Sequence, residues 1–311
     1  MYENTNYQIV KYKVILIRYS EVGLKARATR KRFIKTLVNN IKNALSNRKI
    51  SFKIKSEWDR IYVYTDQINS SLDVLKKIFG ISSISPAVQT LSSLKSISNL
   101  AVNISKNNIS MEKSFALRVT RTGEHKYTSQ DVAVEIGNDI VNVTNANVDL
   151  TKPDFELFIE IRDDRAFLFT EKIKGTGGLP LGTQATILAL ISNFESILAA
   201  WYVMRRGCNV IFLTTDESMI NFLEIFKMNW HLSSSTNLIK STDLYEELHK
   251  LSKDNRYDAI VTNHNLDEKP KRALAGIKIL RKHTKLPILQ PLIVMKRDEI
   301  INKCRILGLV K

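Results

Sequence analysis

The chain has 311 residues, of which 44% are hydrophobic, so it is long enough for two or three domains with cores of their own. Two cysteines exclude a disulfide-stabilised scaffold and a zinc site built from cysteines alone, and the absence of a long apolar run excludes a membrane span. Lys and Arg outnumber Asp and Glu by 47 to 31, which gives a formal net charge of +16 and suits a polyanionic partner.

The N-terminal region begins with a polar stretch that has no signal-peptide core, so we expect a cytoplasmic protein. Hydrophobic periodicity then predicts a strand at 14–19, a helix with apolar positions from Phe33 to Leu45, strands around 52–54 and 61–63, a helix at 72–79 and a strand near 83–88. This β-α-β-β-α-β order favours a ferredoxin-like α+β domain.

The middle region repeats the mixture of helices and strands. It predicts a helix at 94–106, a strand at 114–123, a helix at 129–141 and two strands at 155–161 and 165–173. Thr128 or Ser129 is the expected N-cap of the second helix, with Asp131 in its first turn.

The segment GTGGLPLGTQ, residues 175–184, holds four glycines and a proline, which indicates a linker. Strands and helices alternate after it, and this alternation predicts a mostly parallel sheet with helices on both faces. We therefore divide the chain into four parts: 1–72, 73–175, a glycine-rich linker at 176–184, and 185–311.

Several segments resemble one known family. These are IRYSEVGLKARATRKRFIKTLVNNI (17–41), RVTRTGEHKYTSQDVAVEIG (118–137), DDRAFLFTEKIKGTGGLPLGTQ (163–184), MRRGC (204–208) and PILQPLIVMKRDEII (287–301). They are similar to the 4-thiouridine synthetase (ThiI) family. The resemblance implies an α+β N-terminal half, ferredoxin-like plus an RNA-binding THUMP domain, followed by an α/β Rossmann-like domain derived from a pyrophosphatase-loop fold.

The resemblance also implies that the first two domains hold the acceptor end of tRNA. Residues 11–60 contain fifteen basic and three acidic residues, and phosphates neutralised by such a stretch release counterions. The candidate RNA-binding residues are Lys25, Arg27, Arg30, Lys31, Arg32, Lys35, Arg118, Arg121, His125, Lys126, Tyr127, Lys172 and Lys174. Tyr127 is the expected base-stacking ring, and the bare glycine backbone after Lys174 could approach RNA closely. A solvated basic surface is the alternative for any single residue.

The nucleotide-binding loop departs from the family pattern S-G-G-x-D-S. Its counterpart here is Ser192, Asn193, Phe194, Glu195 and Ser196, so both glycines that would wrap a pyrophosphate are missing. If a nucleotide is bound, the resemblance implies contacts from Leu188, Ala189, Ser192, Asn193, Glu195, Ser196, Thr214 and Thr215. The family's T-G-E-x-x-G-Q-x-x-S-Q-T segment is replaced by VTNHNLDEKPKRA (261–273), where Lys269, Lys271 and Arg272 add positive charge.

Cysteine and histidine chemistry gives weaker signals. Cys208 follows two arginines and is a weak candidate nucleophile, but both it and Cys304 are more typical of buried small side chains. The five histidines lack metal-ligand spacing, so we predict no metal site.

Three functions remain open. The first is a tRNA-binding protein of the ThiI-like thiolation family that is catalytically impaired or depends on a partner. The second is an active tRNA sulfurtransferase that uses ATP and Mg²⁺ to make 4-thiouridine, and the third is a general binder of structured RNA. A homodimer and a separate sulfur donor or catalytic partner protein are expected possibilities, and a membrane partner is not.

Overall fold

The computed structural model describes residues 11–19, 21–232, 238–240, 243–267 and 270–310. These residues form two compact units. The first comprises the described residues up to Arg18, Ile50–Asp73 and Ser83–Lys174, and the second comprises Tyr19–Lys49, Val74–Ser82 and the described residues from Gly175 onward. Among the described residues, no helix is long and apolar enough to cross a membrane.

The first unit is built on a nine-stranded sheet. Its strands are β1 Val14–Arg18, β2 Lys53–Ser56, β3 Ile61–Tyr64, β4 Ser83–Leu91, β5 Ser114–Thr122, β6 Asn147–Val148, β7 Phe155–Arg162, β8 Arg165–Phe169 and β9 Ile173–Lys174. Their order is β2-β3-β1-β4-β8-β7-β5-β6, with β9 also on β4. The helices of this unit are α3 Leu94–Lys106 and α4 Ser129–Thr144, and α2 Ile68–Leu75 begins in it.

Strand β4 joins the ferredoxin-like strands to the strands that follow. Its first half, Ser83–Ala87, pairs antiparallel with β1, and its second half, Val88–Leu91, pairs antiparallel with β8. The sheet is therefore continuous across the two predicted domains.

The core of the first unit has two parts, on opposite faces of this sheet. Under α3 and α4, Ile97 and Ile136 pack with Leu157 and Ile159 of β7. Helix α4 starts at the predicted position, because the side chain of Thr128 caps the backbone of Asp131 and the Asp131 carboxylate accepts from the Thr128 N–H. On the other face, a smaller apolar cluster contains Val14, Leu16, Tyr62, Ala87, Phe167 and Phe169.

The second unit contains a five-stranded parallel sheet. Its strands are β10 Thr186–Leu190, β11 Asn209–Thr214, β12 Leu238–Lys240, β13 Ala259–Val261 and β14 Ile288–Leu289, in the order β12-β11-β10-β13-β14. All four pairings are parallel. The helices are α1 Arg27–Asn47, α5 Phe194–Arg205, α6 Glu217–Asn229, α7 Leu244–Leu251, α8 Pro270–His283 and α9 Arg297–Ile306. The predicted fold class is confirmed: an α+β N-terminal half precedes an α/β domain with a parallel sheet.

The helix predicted at 72–79 lies instead at Ile68–Leu75. Beyond Leu75 the chain forms tighter turns, in which the Lys77 and Ile78 N–H groups donate three residues back, and Gly80 follows at φ 97°. The glycine marks the end of these turns, so taking it as the helix terminus placed the helix too late in the chain.

The glycine-rich segment packs tightly within the second unit. The Gly178 backbone has φ 75°, and a Cβ at this position would lie 2.0 Å from the Arg205 carbonyl oxygen. Leu179 is buried, and its N–H donates to the same oxygen at 3.0 Å. These glycines allow protein backbone to approach protein backbone, which is a different role from the predicted approach to RNA.

Candidate functional site

A cleft of about 610 Å³ opens at the carboxyl ends of β10 and β13. The chain leaves β10 toward β11 on one side of the sheet and reaches β13 on the other, so this is the topological switch point where open parallel sheets bind ligands. The lining side chains come from four segments after strands or at helix starts: Ser192, Asn193, Glu195, Asn263, His264, Asn265, Arg272 and Arg297. Tyr245 and Ile279 also line the cleft.

The loop between β10 and α5 caps itself with its own side chains. The N–H groups of Ser192 and Asn193 both donate to the Ser196 hydroxyl oxygen, at 3.1 and 3.2 Å. The Ser196 N–H donates to the Asn193 side-chain oxygen at 3.0 Å, which also accepts from the Asn263 amide at 3.0 Å. A phosphate-binding loop points such N–H groups at its ligand, whereas these are already paired.

The other two positions of the loop are also occupied by protein contacts. The Glu195 carboxylate forms an ion pair with the guanidinium group of Arg297. The Phe194 ring packs edge-on against Phe222, with ring centroids 4.6 Å apart, and is partly buried against the core of the second unit.

The structure brings together only some of the predicted nucleotide-binding residues. Ser192, Asn193 and Glu195 line the cleft, and buried Ser196 organises their loop. Leu188, Ala189 and Thr214 are fully buried within their strands, and neither they nor Thr215 are among the cleft-lining residues. Leu188 and Ala189 lie before the end of β10, whereas Thr214 ends the neighbouring strand β11 and Thr215 follows it.

Two residues that line the cleft, Asn263 and His264, were not predicted from the sequence. They follow β13, on the other side of the switch point from the Ser192 loop. His264 is half-buried, and burial lowers the pKa of its imidazole. Its Nδ1 lies 2.8 Å from the Thr262 hydroxyl, and its Nε2 lies 2.4 Å from where a Cβ at Gly276 would be. Gly276 therefore makes room for this ring on α8. The position of Asn263 and His264 directly after a buried strand was the signal that could have identified them.

Both cysteines are buried, and burial is the first cause that raises the pKa of each thiol. The pKa of Cys304 rises to about 11, and that of Cys208 also lies above its usual value. A neutral, buried thiol does not suit the nucleophilic role that was considered for Cys208. Among the described residues, no three His, Cys, Asp or Glu side chains come together as metal ligands.

The basic cluster at the start of α1 is open to solvent. Lys25, Arg27, Lys31, Arg32 and Lys35 are exposed, and Arg30 is partly buried. Helix α1 has no side-chain cap at Ala26 and no acidic residue in its first turn, so nothing acidic there offsets the positive helix terminus. The arrangement suits phosphate contacts.

The candidates at the end of β5 and directly after it are mostly engaged with protein groups. The Arg121 guanidinium contacts the Gly123 carbonyl at 3.0 Å, and His125 Nε2 lies 2.7 Å from the Asp163 carbonyl oxygen. The Tyr127 hydroxyl donates to the Ser92 carbonyl oxygen, and its ring packs against the core under α3 and α4. The Tyr127 ring is thus half-buried, while Lys126 is exposed.

A buried carboxylate organises the opposite face of the sheet. Glu160 is 4% exposed and accepts hydrogen bonds from Arg18 at 3.0 Å, Arg60 at 2.8 Å and Arg162 at 2.7 Å. Burial alone would raise the pKa of Glu160, but the three arginines outweigh it and hold the pKa at about 2. Beside this cluster, the ammonium group of exposed Lys172 lies 4.0 Å from the ring centroid of Phe158. Lys174, on β9, is exposed as well.

Comparison with known proteins identifies three family matches: the ThiI ferredoxin-like domain over residues 14–85, the THUMP domain over 92–171 and the thiamine biosynthesis protein (ThiI) family over 228–310. The probable tRNA sulfurtransferase of Methanobrevibacter smithii is 32% identical, across 96% of this chain and 87% of that protein. Its counterpart from Methanothermobacter thermautotrophicus is also 32% identical, with coverage of 96% and 86%.

Two solved structures are similar over nearly the whole chain. PH1313 from Pyrococcus horikoshii has a TM-score of 0.81 and 30% identity, covering 96% of this chain and 100% of that one. A 4-thiouridine synthetase in complex with RNA and bound ATP has a TM-score of 0.77, covering 96% and 85%, and at 23% identity it supports the fold alone. The predicted resemblance is confirmed: the chain belongs to the tRNA sulfurtransferase (ThiI) family.

Proposed function

We propose that this chain binds tRNA through its first two domains and does not hold ATP in the manner of an active sulfurtransferase, so that thiolation requires a partner protein. The observation that carries the proposal is the self-capped loop, where the N–H groups of Ser192, Asn193 and Ser196 are paired within the loop. Binding a pyrophosphate there would break these bonds before making new ones.

The residues present do not fit ATP and Mg²⁺ in the family's loop. The glycines are absent, and the Glu195 carboxylate, which stands where an aspartate would be, is neutralised by Arg297. A carboxylate already paired with a guanidinium group is a poor ligand for a magnesium ion, since binding the metal would break this ion pair.

Binding of tRNA has two supports. The α1 cluster presents five exposed cations, and the THUMP match covers most of the remaining candidates. The relatives at 32% identity are described as probable tRNA sulfurtransferases, so tRNA is the ligand to test, and the resemblance to the ThiI family implies its acceptor end. A homodimer and a sulfur-donor protein are further proposals, as are the domain boundaries 1–72, 73–175 and 185–311 around the segment 176–184.

An active sulfurtransferase is the second candidate, because the switch-point cleft is retained. Its volume of about 610 Å³ and the cations Arg272 and Arg297 could accept a nucleotide by other contacts. Lys269 cannot be added to this set, since it lies outside the described residues. A general binder of structured RNA is the third candidate and predicts equal affinity for tRNA and other folded RNAs.

Calorimetric titration of ATP with Mg²⁺, with and without bulk tRNA, separates these candidates. The proposal expects tight tRNA binding and no heat from ATP in either titration. If ATP binds, the variant Arg272→Ala should weaken it, while Lys278→Ala, on the same helix but outside the cleft lining, should not. ATP binding that depends on Arg272, together with 4-thiouridine formation, would overturn the proposal in favour of the active enzyme. Equal affinity for unrelated folded RNA would favour the third candidate.

A further inference from the structure

One row of side chains crosses the sheet of the first unit on the face opposite α3 and α4. Phe158 on β7 lies in register with Arg118 on β5 and with Phe169 on β8. Alternate residues of a strand point to opposite faces, and the neighbours Leu157 and Ile159 belong to the core under the helices. Phe158 therefore belongs to the other face, beside the arginine cluster.

The Phe158 ring is held in place by protein contacts but remains partly open to solvent. It stacks with Phe169 at a centroid distance of 5.2 Å and an angle of 7°, and it is half-buried. The group that covers it is the ammonium of Lys172, on a flexible and exposed side chain. Across the strand pair, Glu156 at 2.7 Å and the Leu150 carbonyl at 2.9 Å hold the guanidinium group of Arg118.

We propose that Phe158 is a stacking platform for an unpaired nucleobase of RNA, with Lys172 leaving the ring to contact the adjacent phosphate. This inference rests on the proposed function, tRNA binding. The ring takes a flat ligand, and the ammonium group of Lys172 beside it favours a ligand that is also anionic, a combination that a nucleotide provides. Stacking of a base contributes more than a lysine contact at an exposed ring, so the base displaces the ammonium group.

The test uses the full chain and a single-stranded RNA oligonucleotide that carries the fluorescent base 2-aminopurine. Stacking on Phe158 should quench the fluorescence. The variant Phe158→Leu should lower affinity about 10-fold and remove the quenching, while Phe158→Tyr should preserve both. Phe155→Leu is the matched control, because Phe155 lies on the same strand but packs against the core under the helices, and it should behave as the wild type.

Unchanged affinity and quenching in a folded Phe158→Leu variant would overturn the platform. If that variant does not fold, the variant Lys172→Met tests the proposal instead. We expect it to retain the quenching and to reduce the slope of log K against log salt by about 0.7, because one phosphate contact is lost. An unchanged slope, or lost quenching, would contradict the proposed role of Lys172 and with it the platform.

Titration of bulk tRNA distinguishes failure of the platform from failure of the proposed function. Wild type that fails to bind tRNA removes the proposed function, whereas tRNA binding with no effect of Phe158→Leu removes only the platform.

Discussion

Replacing Gly178 by alanine should lower the free energy of unfolding of the second unit more than the same change at a glycine that has no close neighbours. Its φ of 75° is a conformation that L residues adopt at a penalty of about 1–2 kcal/mol. The added Cβ would also lie 2.0 Å from the Arg205 carbonyl oxygen and 2.7 Å from the Arg205 Cγ, so the backbone must move. That movement weakens the hydrogen bond from the Leu179 N–H, about 1 kcal/mol, and adds packing strain of about 1–3 kcal/mol. We expect a total loss of about 3–6 kcal/mol in the free energy of unfolding.

Alanine variants of two other glycines separate the penalty of the positive φ from the cost of the close contact with the Arg205 backbone. Gly308 has φ 70° but nothing within 4 Å of an added Cβ, so Gly308→Ala isolates the conformational penalty. Gly23 has open space and no positive φ, so Gly23→Ala should change stability by less than about 1 kcal/mol. Urea unfolding followed by tryptophan fluorescence measures all three, since Trp201 and Trp230 both lie in the second unit. Equal losses for Gly178→Ala and Gly308→Ala would refute the argument from close backbone contact.

Three further predictions concern charged groups. Glu160→Gln should destabilise the first unit by about 3–5 kcal/mol because it leaves buried arginines without their carboxylate, whereas Glu156→Gln, on the same strand and partly exposed, should cost at most about 1 kcal/mol in urea unfolding. Burial and two nearby cations lower the pKa of His231 to about 4 in the folded protein, so the unfolded chain takes up its proton first as pH falls. Stability should therefore decline between about pH 6.5 and pH 4, by about 2 kcal/mol after allowance for partial exposure, and His231→Asn should remove this part of the pH dependence; an identical pH profile would contradict it. The double variant Lys31→Glu, Lys35→Glu should weaken tRNA binding and reduce the slope of log K against log salt by about 2, and an unchanged slope would place the RNA surface elsewhere.

Local signals in the sequence located most elements well. The helix at Leu94–Lys106 was predicted at its observed bounds, because an amphipathic pattern follows the N-cap Ser93. The capping pair of Thr128 and Asp131 likewise set the start of α4. Two-residue strands such as β6 and β14 went unpredicted, since they exist only through pairing with a neighbour that is distant in sequence.

The candidate site was harder to predict, because its members meet only in the folded sheet. Asn263 and Arg297 reach the Asn193 loop through strand order, which periodicity does not reveal. The hydrogen bond from the Tyr127 hydroxyl to the Ser92 carbonyl likewise joins residues that are distant in sequence, so the pattern around Tyr127 does not predict it. Phe158 lies within the apolar run FELFIEI, which predicts a strand but does not show on which face of the sheet the ring lies.

Strand β4 has a consequence for how this protein can be divided. Because its first half pairs with β1 and its second half with β8, no cut on either side of it yields two complete sheets. Glu160 strengthens the connection, since it binds Arg18 of β1, Arg60 directly before β3, and Arg162 from its own strand. A fragment that lacks either group of strands would carry an open sheet edge and would be prone to aggregate. The strands of the ferredoxin-like and THUMP segments are therefore one structural sheet, which a truncation can keep or lose as a whole but cannot halve.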